Sequence, residues 1–289
     1  MYKILTLLIY FVRLSVLGNH FCGMSCGDLP HACCSYQKFG FGEMCNPPVQ
    51  RYDMNDSERE LLVEMHNIVR NKIASGKEKH LPMGSSNMQI LTYDKELEFI
   101  SECWASQCLL DTHQCMNSVR GRTSHIVWQG DERISKKETG KRYLAHSIFQ
   151  FFLHTNLLNT SIFTKFTKSS MPNELLTVTQ VLWANTKYVG CSRVSFNSQK
   201  RKMKTYNVVC TYYPAGNIEN EPVYLDGEPC SSCNNQTVCN KHFTSLCGQI
   251  EWQVQADTFK APFNVNIATL VTCGKIIHYA LIYFLFCIM

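Results

Sequence analysis

Sixteen cysteines in a chain of 289 residues constrain the fold more than any other feature. A reducing compartment would hold most of them as thiols, so this usage assigns the chain to an oxidising one and predicts a scaffold braced by disulfides. The competing reading of a cysteine-rich chain is zinc binding, which calls for repeated Cys-x-x-Cys pairs. One such pair occurs, Cys230 and Cys233, and its neighbours Cys239 and Cys247 have neither matching spacing nor a histidine pattern. No metal and no other cofactor is therefore expected.

The chain ends agree with export. Lys3 precedes an apolar run over residues 4–12 that is too short to span a bilayer, and small residues follow near Gly18. That layout predicts a cleaved signal peptide over residues 1–18. Sequons at Asn55, Asn159 and Asn235 are compatible with glycosylation on that route. At the other end, residues 276–289 read IIHYALIYFLFCIM and have no polar face. A core element would show one. A glycolipid-anchor signal fits better, because Lys275 and His278 interrupt a span of the required length of about 20 residues. The net charge of +5 is mild and gives no case for nucleic acid.

Between the ends, residues 19–54 are dense in Cys, Gly and Pro and read as an arm pinned by disulfides. A helix follows, its start marked by a capping box of Ser57 and Glu60, with Leu61, Leu62, Met65, Ile68, Val69 and Ile73 as its apolar stripe and Gly76 as its stop. A second helix begins at Asp94 and buries Leu97, Ile100, Trp104 and Cys108. A third is expected over residues 140–155. Residues 77–92 and 156–174 read as loop, and 112–136 has no clear period. Strands come late: 178–184, then 188–196 and 205–212 as a hairpin around NSQKRKMK, a basic stretch read as a solvated tip. Helices first and strands late, with no regular alternation, predict an α+β fold with helices packed on a mostly antiparallel sheet. The expected organisation is a domain over residues 55–217, a short Cys-rich extension over 218–250, a linker over 251–275 and the apolar tail.

Several segments, in order and spacing, resemble one known family. The helix EMHNIVRNKIASG at 64–76, the WASQC run at 104–108, TQVLWANTKYVGC at 179–191, VVCTYYPAGN at 208–217 and GEPCSSC at 227–233 are similar to the CAP superfamily, and within it to the insect venom allergen 5 proteins. The resemblance covers residues 20–250. It implies an α-β-α sandwich and the pairs Cys22–Cys34, Cys26–Cys115, Cys45–Cys108 and Cys191–Cys210. The last also follows from the hairpin, whose strands would place the two side by side. Cys33 and Cys103 are extra to that scheme and able to pair with each other. Cys230, Cys233, Cys239 and Cys247 make two local bridges of open pairing, and Cys273 and Cys287 remain.

The resemblance also implies a cleft built from two histidines and two acids. The corresponding positions here are His66, Ser124, His154 and Thr177, so one of four keeps its chemistry. A divalent metal needs three or four converging donors, and general acid–base work needs a second titrating partner. His66 supplies neither alone. No G-x-S-x-G elbow, catalytic thiol or phosphate-binding glycine loop is present. The expected function is therefore a secreted, monomeric, non-catalytic protein that binds a small amphipathic ligand, a sterol or fatty acid, or an extracellular protein. The alternatives are a metal-dependent hydrolase or protease using His66 with His125 or His154, and a membrane-anchored surface adhesion or reproductive protein.

Overall fold

The computed structural model describes residues 20–36, 40–78, 84–131, 160–168, 171–200, 202–234 and 237–250. The expected signal peptide, the expected third helix with His154, Asn159, Asn235, the expected linker, Cys273, Cys287 and the apolar run at 276–289 lie outside them. A 3-10 turn at His20–Gly23 opens the described chain, followed by the two-residue strands β1 (Ser25–Cys26) and β2 (Leu29–Pro30) and the single turn α1 (Ala32–Ser35). Then come β3 (Asn46–Tyr52), α2 (Asp56–Ala74), β4 (Thr92–Tyr93), α3 (Lys95–Ala105), β5 (Ser124–Asp131), α4 (Thr160–Thr164), α5 (Asn173–Val181), β6 (Tyr188–Ser198) and β7 (Met203–Tyr213).

The main sheet runs in the order β3-β6-β7-β5, with β4 added to β6. All pairings are antiparallel except β4 with β6. Its centre is the β6–β7 hairpin, paired from Tyr188↔Tyr213 to Ser198↔Met203. Because side chains alternate along each strand, one face carries Val189, Cys191, Val208, Cys210, Tyr212 and Ile126, which pack with Leu62 and Val63 of α2. The other face carries Val194, Phe196, Val209 and Val127, which pack with Leu97, Ile100 and Trp104 of α3. Helix α3 sits unusually close to the sheet. A Cβ on Gly190 would lie 2.2 Å from the Glu98 nitrogen and 2.4 Å from the Asp94 carbonyl oxygen, so only glycine fits there. A further core gathers Phe163, Phe166, Leu175, Val178, Leu182 and Trp183 with Tyr224, Phe243 and Leu246.

Seven disulfides link Cys22–Cys34, Cys26–Cys115, Cys33–Cys103, Cys45–Cys108, Cys191–Cys210, Cys230–Cys239 and Cys233–Cys247. The first closes a loop within the N-terminal arm, and the next three fasten that arm to α3 and the loop beyond it.

Several elements differ from the sequence expectation, and for four of them (α2, α5, β5 and β3) the reason is physical. The cap of α2 is Asn55 with Glu58 rather than Ser57 with Glu60. Asn55 Oδ1 accepts from the Glu58 nitrogen, and the Glu58 carboxylate accepts from the Asn55 nitrogen. Both pairs have the right spacing, and the arrival of the chain from β3 selects the earlier one. The stripe of α2 also rotates: Ile68 is exposed while His66, Asn67 and Arg70 are fully buried. Residues 178–184, read as a strand, instead close helix α5, since Leu175, Val178 and Leu182 satisfy helical spacing as well as alternation does. Strand β5 has apolar side chains on both faces because helices cover both, which erases the alternation that would have marked it. Strand β3 was hidden by Pro47 and Pro48, which an edge strand tolerates.

Candidate functional site

Helix α5, the first residue of β5 and the turn after β7 converge on one polar cluster. Ser124 opens β5 opposite Tyr212 in the ladder, and its hydroxyl donates to Gln180 Oε1 at 2.5 Å. The Gly216 nitrogen donates to the same pair of oxygens, at 3.1 Å to Ser124 Oγ and 3.2 Å to Gln180 Oε1. Only glycine permits this approach, because a Cβ at position 216 would stand 2.7 Å from both Gln180 Oε1 and Trp183 Cγ. One residue on, Asn217 takes a positive φ of 52° and clamps α5: its amide donates to the Leu176 carbonyl at 2.7 Å and its Oδ1 accepts from the Thr179 hydroxyl at 2.8 Å. Ala215 completes the junction by donating to the Arg122 carbonyl oxygen at 3.1 Å. Thr177 is half-buried on α5, two residues before Thr179.

The cluster is fixed in place by Arg70 of α2. Its guanidinium is fully buried and donates to the carbonyl oxygens of Gln89, Val181, Trp183, Ala184 and Thr186. Five carbonyl dipoles compensate a charge that pairs with no carboxylate among the described residues, and burial still pulls its pKa down to about 9. Arg70 thus sets where α5 ends relative to α2, and with it the position of Gln180. On the same sheet face, Arg193 and Glu58 form a buried pair at 2.6 Å that fastens the start of α2 to β6.

His66 is one turn of α2 before Arg70 and is also fully buried. Its Nδ1 donates to the Leu62 carbonyl at 2.7 Å, which leaves Nε2 to accept from the Tyr212 hydroxyl at 2.9 Å. Burial, reinforced by the Arg70 charge, lowers its pKa to about 4. A neutral ring with both nitrogens engaged and no solvent contact has no free pair to give a substrate or a metal. His66 is linked to the cluster through Tyr212, the ladder partner of Ser124. His125 is placed differently again. Adjacent strand residues face opposite ways, so His125 points to the α3 side while Ser124 points to the α2 side. Its Nε2 is enclosed with no hydrogen-bond partner among the described residues, and burial lowers its pKa to about 4. Ser124 and His125 therefore share no site.

What the cluster offers chemically is hydroxyl and amide. Gln180, only 1% exposed, has its Oε1 occupied, and its Nε2 has no partner among the described residues. Zinc prefers imidazole, thiolate or carboxylate donors. Ser124, Thr177 and Gln180 supply none, so this residue set does not fit the ion. The sulfurs of Cys230, Cys233 and Cys247 do gather within 4.8 Å of one another. They are spent in two disulfides, and a metal would require free thiolates. Sequence reasoning gave no role to Gln180, Gly216 and Asn217, although TQVLW and PAGN, the runs that hold them, were visible. Their mutual contact depends on a junction of helix, strand and turn that no local pattern encodes.

Comparison with known proteins gives a consistent result. The model of the cysteine-rich secretory protein family, CAP, matches residues 63–212. A venom allergen 3 homolog of Dinoponera quadriceps is 28% identical over 76% of this chain and 95% of its own length. Venom allergen 3 of Solenopsis invicta is 30% identical over 73% of this chain and 91% of its own. Among solved structures, the crystal structure of NaASP2 with Zn2+ aligns with a TM-score of 0.55 at 24% identity, covering 68% of this chain and 97% of that one, which is a likeness of fold.

Proposed function

Because this chain belongs to the cysteine-rich secretory protein family, CAP, we propose that it works outside the cell as a binding protein and performs no chemistry on what it holds. Its occupant in this reading is a small amphipathic molecule, such as a sterol or a fatty acid. The observation that carries the reading is the Ser124–Gln180–Gly216 network, where hydroxyl, amide and backbone N–H stand in a junction that would need titrating groups to move protons. Within it, Gln180 Nε2 has no partner among the described residues and is the donor left to a hydroxyl or carboxyl head. The disulfide-braced sandwich supplies a rigid frame on which loops and grooves vary at little cost to the core.

The test is to recover the full chain from secreting cells, extract what it carries and identify it by mass spectrometry, then assay hydrolysis with and without chelator. The expected result is a carried lipid that exchanges with labelled sterol or fatty acid, and no turnover. Metal-dependent turnover that vanishes in His66→Ala would overturn the reading. The apolar stretch at residues 276–289 favours display at a membrane surface, where a raised effective concentration lets modest affinity suffice. Release from cells by a phospholipase specific for glycolipid anchors tests that part. Retention of the chain after complete digestion would count against it.

A further inference from the structure

We propose that Asn55 carries an N-linked glycan whose attachment leaves the cap of α2 intact. The inference rests on the extracellular reading. Residues 55–57, Asn-Asp-Ser, form a sequon, and Asn55 is exposed at the point where the chain leaves β3 and enters α2. All the structural work of its side chain falls on one atom. Oδ1 accepts from the Glu58 nitrogen at 3.0 Å and from the Ser57 hydroxyl at 2.7 Å. The backbone nitrogen donates to Glu58 Oε2 at 3.0 Å. No hydrogen bond among the described residues uses Nδ2, the atom that a glycosyl group would take. Glycosylation is a transfer in which Nδ2 attacks the anomeric carbon of a polyprenyl-pyrophosphate-linked oligosaccharide. The N–C bond forms, the C–O bond to the pyrophosphate breaks, the lipid pyrophosphate departs and Nδ2 gives up one proton. The product amide keeps its carbonyl oxygen, so both hydrogen bonds to Oδ1 survive.

The position also gives the sugar a task. Among the described residues strand β3 is an edge of the main sheet, pairing with β6 alone, and Asn55 lies three residues beyond its last residue, Tyr52. An exposed edge is a template for pairing with another chain, and a bulky hydrophilic group beside it blocks that approach. The glycan therefore guards the β3 edge at no cost to the helix cap.

The full chain is translated with microsomes competent for glycosylation, the imported fraction is isolated by protease protection, and the peptide holding Asn55 is analysed before and after amidase deglycosylation in heavy-oxygen water. The expected result is conversion of Asn55 to heavy-labelled Asp. Loss of one glycan from the intact chain is expected in both Asn55→Asp, which keeps the capping oxygen, and Ser57→Ala, which breaks the sequon but not the cap. An imported chain with an unmodified Asn55 peptide overturns the glycan and leaves the extracellular reading standing. A chain that is never imported overturns both. The peptide measurement is made on the wild-type chain and so does not depend on any variant folding.

Discussion

The two faces of the central sheet are secured by different physics. On the α2 side, Arg70, His66, Asn67 and the Glu58–Arg193 pair are buried and satisfied one by one: Asn67, for example, donates to the Leu91 carbonyl and accepts from the Leu91 nitrogen, extending the chain as a strand would. On the α3 side the contact is mainly apolar, with a few polar ties such as Ser101 to Thr211 at 2.8 Å, and the frame is covalent, with Cys33–Cys103 and Cys45–Cys108 pinning the arm to α3 and its end. A buried polar network is demanding, because each member removed strands its partners without water. A disulfide acts largely through the unfolded state and asks little of its neighbours. The candidate site stands on the demanding side, where positions are fixed most narrowly.

The comparison breaks most readily at Arg70. Arg70→Leu removes the donor to five carbonyl oxygens in a fully buried site, and unfolding by denaturant should show a loss of about 4 kcal/mol or more. A loss below about 1 kcal/mol would mean that the α2 side does not depend on its polar network. Arg70→Lys, with one point charge in place of a fork, should recover only part of it. On the other face, Cys33→Ser with Cys103→Ser should cost about 2–4 kcal/mol, and spectroscopy of the folded state should be unchanged, since the apolar packing stays.

Acid titrates a buried histidine on each face. The folded pKa of His66 is about 4, against about 6.5 for an unperturbed imidazole. Between those values the unfolded chain binds more protons, so stability is full above about pH 6.5 and falls as the pH drops toward 4. The contribution of His66 is at most about 3 kcal/mol. His66→Gln should reduce the dependence of the unfolding midpoint on pH over that window, leaving the part that His125 contributes. An unchanged slope would place the titration at His125, on the α3 side, whose pKa is depressed to a similar value. The smallest effect is expected at the candidate site itself. Ser124→Ala removes one hydroxyl from a network whose Gly216 donor retains Gln180 Oε1, and should cost about 1 kcal/mol. Its ligand exchange rate, compared with wild type, would show whether the hydroxyl contacts the occupant.

Much of the frame was open to reading. The β6–β7 hairpin, the start of α3 at Asp94 and the end of α2 at Gly76 follow from local rules, because alternation, a side-chain cap and a residue free to take a φ of 65° are each encoded within a few positions. The reading failed where burial was two-sided or periods coincided, as in β5 and α5. At the site the four positions were named from resemblance, but residue type could not say that His66 spends both nitrogens internally, or that Ser124 and His125 face opposite ways. Those facts depend on the strand register and on how α2 seats.

The sequence by itself determined the hairpin and the two principal helices, because period and cap chemistry are properties of neighbours along the chain, and its ordered motifs carried the family resemblance. Only the tertiary structure decided that the buried stripe of α2 includes His66, Asn67 and Arg70 beside its apolar residues, that five distant carbonyls converge on Arg70, and that Ser124, Gln180 and Gly216 meet. Each of these joins groups far apart in the chain, whose hydrogen bonds take hold only once packing has excluded water between them.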